Sequence, residues 1–240
     1  MQSTNVVETE TVLNEEAVRM LSKAKKEPEW LLQQRLSSLK AFEELQLPQL
    51  SYGLSVNAAN TINISELRPL ETITHHNSRT LLQKGFIQNV IIEDLSVAAS
   101  KHEDVLRPLM TSNDFRHKLD ALHSAFWNSG IFVYAPKRKS GETATHVTLQ
   151  LQQNQTEIVA IVVVAEENAN IVVTESLTAA AATDGKAYRF EGVGIKAAPN
   201  STVKFATLQK LGSNVNSTIV RKALAEKDAT VDWADISIGG

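Results

Sequence analysis

Histidines are the side chains of this 240-residue sequence best suited to binding a transition metal. They are His75, His76, His102, His117, His123 and His146. A zinc site needs three or four converging ligands, and no pair of these histidines has the HExxH spacing that brings two ligands to one helix face. The sequence contains no cysteine, which excludes thiolate metal ligands, disulfides and a cysteine nucleophile. We therefore predict no metal-ligating residue, and we interpret His117 and His123 as surface or boundary residues of a helix.

Other residue combinations typical of enzymes are incomplete. Ser124 follows His123, but adjacent residues on a helix point about 100° apart, so the two side chains do not form a catalytic dyad. The segment EGVGIK lacks the spacing of a phosphate-binding loop, and we interpret Gly192 and Gly194 as turn or bulge glycines.

Two pairs of acidic residues are the remaining candidates for catalysis, because paired carboxylates hydrolyse glycosidic bonds. Glu166 and Glu167 precede a predicted strand at a turn, and Asp232 and Asp235 lie in a segment where polar and apolar residues alternate. We interpret these acids as solvated and predict no catalytic residue. The alternative is a β-helical enzyme that acts on carbohydrates.

The composition excludes several classes of partner. The chain has 24 basic and 27 acidic side chains and a formal net charge of −3, so it has no strong positive field for nucleic acid. No apolar run approaches the roughly 18 residues of a membrane span, and the start MQSTNVVETE lacks the pattern of a secretory signal. We expect a cytoplasmic protein that binds neither nucleic acid nor membrane.

The elements that must position these residues begin with helices. Asn14 is placed to cap a helix that starts at Glu15 and ends near Lys26. Pro28 fits the first turn of a second helix, in which leucines recur at helical spacing up to Pro48. Residues 51–84 have the mixed pattern of a connector.

A strand is predicted over Phe86 to Ile92, followed by a helix from about Ser96 with Pro108 near its end. A further helix carries Phe115, Leu119, Leu122 and Phe126 on one side, with Asn113 and Asp114 as candidate caps.

The segment from Asn128 to Lys137 marks a change of architecture. Asn128, Ser129 and Gly130 are expected to end the helix, with Gly130 at positive φ, before IFVYAPK begins a strand. The residues that follow are rich in Val, Ile and Thr, as in β-structure. We predict an α+β protein with an N-terminal helical or mixed region, 1–127, and a β domain, 128–240.

Three segments of the β domain repeat, namely AEENANIVVTES from Ala165, APNSTVKFATLQ from Ala198 and AEKDATVDWADI from Ala225. The equivalent apolar positions are Ile171, Val203 and Val231, followed by Val173, Phe205 and Trp233. Their spacings of 32 and 28 residues predict the stacked coils of a solenoid. The alternative is a β-sandwich with similar turns.

Five stretches together resemble the SufB/SufD family, whose members are scaffold subunits of the SUF iron–sulfur cluster assembly system. They are KKEPEWLLQQRLSSLKAFEELQLP, AASKHEDVLRPLM, KLDALHSAFWNSGIFVYAPK, VVAEENANIVV and ATVDWADISIGG. The resemblance covers Glu15 to Gly240 and is closer to SufD, because the lead-in before EPEW is short and the cysteines associated with SufB are absent.

The resemblance implies an N-terminal helical region followed by a right-handed parallel β-helix, in a non-catalytic scaffold. It also implies pairing with a SufB-like subunit and a complex that contains a SufC-like ATPase and acquires iron. No cofactor is expected on this chain itself, since the iron–sulfur cluster is held transiently by the full complex. An interaction module that has lost the scaffold role is the alternative within the family.

We expect the sequence to end within the β-helix, so that the remaining coils and the ATPase-docking region are absent. An incomplete stack exposes the apolar edge of its last coil, here around Val231, Trp233 and Ile236. We therefore expect self-association, for example as a homodimer. No functional residue is carried over from the family, because its metal-associated residues lie beyond Gly240.

Overall fold

A computed structural model describes residues 13–48, 64, 67–70, 81–83, 90–111, 114–138, 145–153, 156–179 and 187–238. These residues form five α-helices and ten β-strands. The helices are α1 (Glu15–Lys25), α2 (Glu29–Glu44), α3 (Leu95–Lys101), α4 (Glu103–Met110) and α5 (Lys118–Phe126). The strands are β1 (Leu81–Gln83), β2 (Ile91–Asp94), β3 (Ser129–Ala135), β4 (Thr145–Gln153), β5 (Thr156–Ala165), β6 (Asn170–Ala179), β7 (Ala187–Ala197), β8 (Thr202–Lys210), β9 (Val215–Ala225) and β10 (Thr230–Ser237). The architecture is mixed α+β, with N-terminal helices followed by sheets of parallel strands.

The first two helices begin where their sequence predicts, although α2 ends at Glu44, four residues before Pro48. The Asn14 side chain accepts a hydrogen bond of 2.9 Å from the amide of Ala17 and so caps α1. Pro28 lies at the N-cap position of α2, one residue before the predicted first turn.

Arg35 of α2 connects the helical region to the start of the β-structure. Its guanidinium donates to the carbonyl oxygens of Ala125 and Trp127, at 2.9 and 3.0 Å, and lies 4.0 Å from the centre of the Trp127 ring. It also forms an ion pair with Glu27, and both side chains are fully buried. Because this charge is neutralised where it is buried, α2 is fixed against the end of α5.

The strands form two sheets in which successive strands alternate. One sheet has the order β1-β4-β6-β8-β10 and the other β2-β3-β5-β7-β9. Every pairing among β3 to β10 is parallel, whereas β1 and β2 pair antiparallel with β4 and β3. This pairing differs from the antiparallel ladders of an immunoglobulin-type sandwich.

The molecule has three layers, because the second sheet is apolar on both faces. On one face, Ile158, Ala160 and Phe190 pack against the helices. On the other face, side chains such as Ile161 pack against the first sheet through residues such as Val173. The core between the two sheets and the core under the helices are thus separated by one sheet.

Turns of four residues connect β5 to β6, β7 to β8 and β9 to β10, and they stack on one another. The amides of Asn168 and Asn200 donate to the carbonyls of Pro199 and Lys227 in the next turn, at 3.1 and 3.0 Å. The first turn also accepts at Glu167 from the amide of Arg138, which follows β3, at 3.1 Å. Asn168, Asn200 and Asp228 have φ of 62°, 58° and 57°, the left-handed region that Asn and Asp tolerate best after Gly.

The register confirms the equivalence of Ile171, Val203 and Val231, and that of Val173, Phe205 and Trp233. The predicted start of the middle repeat was wrong by one residue. Ala165 pairs with Ala197, and Ala197 pairs with Ala225, so the repeat begins at Ala197 rather than Ala198.

Three other expectations from the sequence need correction in the N-terminal half. The helix predicted from Ser96 is two helices that meet at His102, and its first turn is capped by Asp94. The cap of α5 is His117, whose Nδ1 accepts from the amide of Asp120 at 3.3 Å, and not Asp114; Asn113 lies outside the described residues. Phe115 precedes α5 rather than lying on it.

Gly130 does not end a helix and has no positive φ. It lies in β3, where an added Cβ would be 2.7 Å from Cβ of Leu95 and 3.0 Å from the Trp127 ring. The glycine is therefore required for close packing of α3 on the strand. Most of the predicted connector 51–84 and of the predicted strand 86–92 lies outside the described residues, although Leu81–Gln83 form β1.

Candidate functional site between the two sheets

Four charged side chains are enclosed in the otherwise apolar space between the sheets. Glu157 lies on β5, Glu175 on β6, and Arg189 and Glu191 on β7, and all four residues are at most 3% exposed. Side chains alternate along a strand, so these positions face the same interior as Ile161 and the other apolar residues between the sheets.

Arg189 is the centre of the cluster. It donates to Glu157 Oε2 at 3.0 Å, to Glu175 Oε1 at 3.3 Å and to Glu191 Oε2 at 2.5 Å. Burial lowers the pKa of Arg189, but attraction to Glu191, Glu175 and Glu157 outweighs it and leaves the pKa above its ordinary value. The guanidinium is therefore charged and held by three carboxyl groups.

Three carboxylates around one guanidinium leave an excess of negative charge, which is costly in a buried site. Burial, followed by repulsion from Glu191, raises the pKa of Glu175 to about 8, although Arg189 opposes the shift. Glu191 Oε1 has no hydrogen-bond partner among the described residues. A proton on Glu175 reduces the excess charge and provides a donor for Glu191, so the cluster holds a proton at neutral pH.

A line of polar groups extends from this cluster toward the solvent. Thr207 pairs in register with Glu175 and with Asp235, so the three side chains lie one above another on neighbouring strands. The Thr207 hydroxyl donates to Glu175 Oε2 at 3.1 Å and accepts from Arg221 at 2.8 Å. Arg221 also donates to Asp235 Oδ2 at 2.7 Å, and the Asp235 side chain is 49% exposed. The line thus joins Glu175 and Glu191, which share the buried proton, to the surface at β10.

Among the described residues, no three His, Asp or Glu side chains converge as ligands of a metal ion. The carboxyls of the buried cluster point at Arg189 instead, whose guanidinium occupies the centre. The arrangement can hold and release a proton, and it can fix the distance and register of the two sheets.

Comparison with known proteins identifies the family. Residues 147–240 match the family described as SUF system FeS cluster assembly, SufBD core domain. The chain is 24% identical to the iron–sulfur cluster assembly protein SufB of Bacillus subtilis strain 168, over 98% of its own length and 58% of that protein. Residues 147–240 therefore carry the SufBD core domain of the SufB/SufD family.

Two further relatives are iron–sulfur cluster assembly SufBD family proteins of Staphylococcus haemolyticus and Staphylococcus aureus, each 23% identical. They are matched over 99% and 98% of this chain, and over 59% and 58% of their own lengths. The chain thus spans less than two thirds of the curated relatives that it matches. No helix in the described part of the chain is long and apolar enough to span a membrane.

His102, His117 and His123, whose side chains the structure describes, are separate from the buried cluster. His102 Nε2 lies 3.7 Å from Glu93 Oε2, and His117 caps α5. His123 lies within α5 and is half-buried between the helix and the sheet, where its Nε2 bonds the Val159 carbonyl at 2.7 Å. The neighbouring Ser124 bonds Ser38 at 2.8 Å. His146 is on β4, and His75 and His76 lie outside the described residues.

The acidic pairs singled out in the sequence lie at the edges of the β-structure. Glu166 and Glu167 occupy a turn, and Glu167 pairs with Lys137 at 2.5 Å. Asp232 is exposed, whereas Asp235 binds Arg221 at the end of the polar line. Asp235 is exposed as well, with 49% of its side chain accessible, so both aspartates lie at solvated positions as predicted.

Sequence reasoning missed the buried cluster itself. Arg189 and Glu191 precede Val193 and Ile195 by two-residue steps, so strand alternation alone places their charges on an inward face. Charged residues in phase with an apolar face are the signal that would have revealed the site.

Proposed function

We propose that this chain is a SufD-like, non-catalytic scaffold subunit of the SUF system, supporting iron–sulfur cluster assembly and iron acquisition. The observation that carries the proposal is the family match over residues 147–240, which falls on the parallel strands β4 to β10. A rigid stack of paired strands presents extended edges, as a scaffold requires.

The finer architecture belongs to the same proposal. The alternation of β3 to β10 between two parallel sheets, with equivalent residues 32 and 28 positions apart, supports a parallel β-helix. In such a fold each coil rests on the next, so a buried polar line running across coils fixes their register.

A SufB-like subunit is the partner that we propose to bind directly, with a SufC-like ATPase in the same cytoplasmic complex. The cluster is cargo of the whole complex in this proposal. Support for a protein partner comes from the last two strands, where Leu224 and Ile236 are each 55% exposed. No role in catalysis is proposed for any residue.

A pull-down tests the assignment. The tagged 240-residue chain is mixed with the SufB-like and SufC-like subunits of its own organism, and recovered complexes are sized by chromatography with mass detection. We expect capture of the SufB-like subunit by the parent, loss of capture by the double variant Leu224→Lys, Ile236→Lys, and full capture by Val97→Lys. Val97 is a matched control because it is an apolar residue, 46% exposed, on α3.

Failure of the parent to capture the SufB-like subunit would refute the proposed partner. Capture that is equal for the parent and the double variant would refute the proposed surface but keep the partner.

A further inference from the structure

A cleft of about 270 Å³ lies between α5 and the outer face of strands β5, β7 and β9. Its floor includes Gly192 and Gly194, its helical wall includes Asp120 and His123, and Lys222 closes one side. Its wall is predominantly apolar, with a few polar groups, which is the usual composition of a small-molecule site. The cleft lies on the opposite face of the sheet from the buried cluster of Arg189.

Gly192 and Gly194 occupy two equivalent positions on the same face of β7. The space above Gly192 is filled by the ring of His123, whereas the space above Gly194 is open. An added Cβ on Gly192 would lie 2.3 to 2.8 Å from atoms of the His123 ring, so the flat imidazole rests directly on the Gly192 backbone. An added Cβ on Gly194 would have no atom within 4 Å. Packing within this chain therefore explains the glycine at 192 but not the one at 194.

A glycine inside a strand is unfavourable by about 0.5–1 kcal/mol relative to alanine, and it often marks a place where a ligand approaches the backbone. Gly194 pairs with Val162 and with Lys222 on its two sides. The bare backbone at Gly194 is thus a flat surface with an apolar neighbour on one strand and a cation on the other. It would accept a flat ring as Gly192 accepts the ring of His123.

The edge of this surface offers hydrogen-bonding groups of both kinds. Nε2 of His123 bonds the Val159 carbonyl, which only accepts, so Nε2 carries the hydrogen and the neutral ring has its lone pair on Nδ1. Burial lowers the pKa of His123 from 6.5, which keeps the ring neutral at pH 7. The buried carboxylate of Asp120 accepts from Lys222 Nζ at 2.9 Å, and that ammonium has further hydrogens to donate.

We propose that this cleft binds a small planar nitrogen heterocycle, seated on Gly194, with its donor edge toward His123 and Asp120 and an acceptor toward Lys222. The inference goes beyond the scaffold role and does not depend on it. An aminopurine is the simplest ring of this kind, because it combines a flat face, an amine donor and ring-nitrogen acceptors.

Adenosine is the first probe, titrated at millimolar concentration into the uniformly labelled 240-residue chain while amide resonances are followed by NMR. We expect saturable shifts at β7, β9 and α5. Nebularine has the same purine ring and ribose but no amine, and we expect it to bind about 10-fold more weakly, because buried acceptors then remain unpaired. D-ribose alone is expected to cause no shift.

Gly194→Val tests the position of the ring. The added side chain has room in the free protein, so we expect an unchanged far-ultraviolet spectrum and an equal or higher Tm, with adenosine binding weakened by about 10-fold or more. Ala206→Val on β8 is the matched control, because it adds similar bulk to a strand of the other sheet. We expect it to bind adenosine as the parent does.

Absence of adenosine binding by the parent would overturn the proposal, as would equal binding by the parent and by folded Gly194→Val. Equal responses to adenosine and ribose would also overturn it, because the ring would then contribute nothing.

Discussion

Arg189 neutralises charges that the interior cannot otherwise hold. A buried ion pair is weak evidence for net stability, because desolvation of the ions offsets their attraction, but removal of one partner is costly. Here one guanidinium holds three carboxyl groups. The effect of a substitution therefore depends on which sign of charge it removes.

Replacement of Arg189 by methionine is expected to destabilise the fold by about 3–5 kcal/mol, because it leaves buried carboxylates without a counter-charge. The measurement is the free energy of unfolding from urea titration. The matched control is Arg107→Met, which breaks an exposed pair with Glu103 and is expected to cost less than about 0.5 kcal/mol. Equal losses in the two variants would contradict this role of Arg189.

Glu175 makes stability depend on pH. Its pKa is raised from 4.5 to about 8 in the folded state, so between these values the folded protein holds a proton that the unfolded chain has released. The free energy of unfolding should therefore fall as pH rises through this window, by up to about 1.4 kcal/mol per pH unit, and level off above it.

The variant Glu175→Gln mimics the protonated carboxyl and should flatten this part of the profile, so its stability relative to the parent increases with pH. The control is Glu167→Gln, at a turn with a side chain 42% exposed, which should leave the slope unchanged. Parallel profiles for the parent and Glu175→Gln would show that the proton is held elsewhere.

Residue types and spacing were enough to interpret His123 as a boundary residue of a helix, but not to find the buried charges. Individual histidines and acids were assessed by local motif, whereas the cluster joins Glu157, Glu175 and Arg189 from three strands. Only the strand register brings them together, and register depends on pairing between distant segments.

At the scale of elements, the contact of α5 with β7 depends on the missing side chain at Gly192. Gly192→Ala places a methyl group into the His123 ring and is expected to cost about 1–3 kcal/mol, as overpacking does. Gly194→Ala meets no atom and should be neutral or stabilising by up to about 1 kcal/mol. Thermal unfolding of both variants measures the difference.

A double-mutant cycle identifies the cause. If the ring of His123 is the obstacle, Gly192→Ala should cost little in a His123→Ala background. An equal cost in both backgrounds would attribute the loss to the strand rather than to the helix contact.

Elements with strong local signals were predicted well. Asn14 and the acids after it specify the start of α1, and the leucine spacing specifies α2. The predictions failed where packing decides the outcome. Gly130 has the sequence context of a helix end but is needed for the approach of Leu95, and His117 caps α5 although Asp114 is the better cap by type.

At the scale of the whole molecule, β9 and β10 form the outer edge of the two sheets in the part of the chain that the structure describes. Each pairs with a neighbour on one side only, and Leu224, Ile236 and Ile238 are more than half exposed there. Parallel strands with free polar backbone groups and apolar side chains favour further pairing. This edge is the surface through which we expect association.

We expect the chain to elute above its monomer mass of 26.3 kDa at micromolar concentration, and the double variant Leu224→Lys, Ile236→Lys to elute as a monomer, because the added charges repel across a paired edge. Val97→Lys should behave as the parent does. A parent that is monomeric at micromolar concentration would contradict the expectation. Addition of the SufB-like subunit should dissolve the self-associated form if both use the same edge.

The three turns that stack on one another have the same length, whereas the connection from β6 to β7 is longer than the connection from β8 to β9. Ala187 lies nine residues after Thr178 in the chain. Their pairing partners on the next strands, Val215 and Lys210, are only five residues apart. This difference of four residues accounts for the whole difference between the 32- and 28-residue spacings. The turns at Asn168, Asn200 and Asp228 keep one length. The turns thus have one fixed length, whereas the connections that follow β6 and β8 differ by four residues between paired positions. We therefore expect a peptide tag or reporter loop to be tolerated better between Ala179 and Ala187 than in one of the four-residue turns.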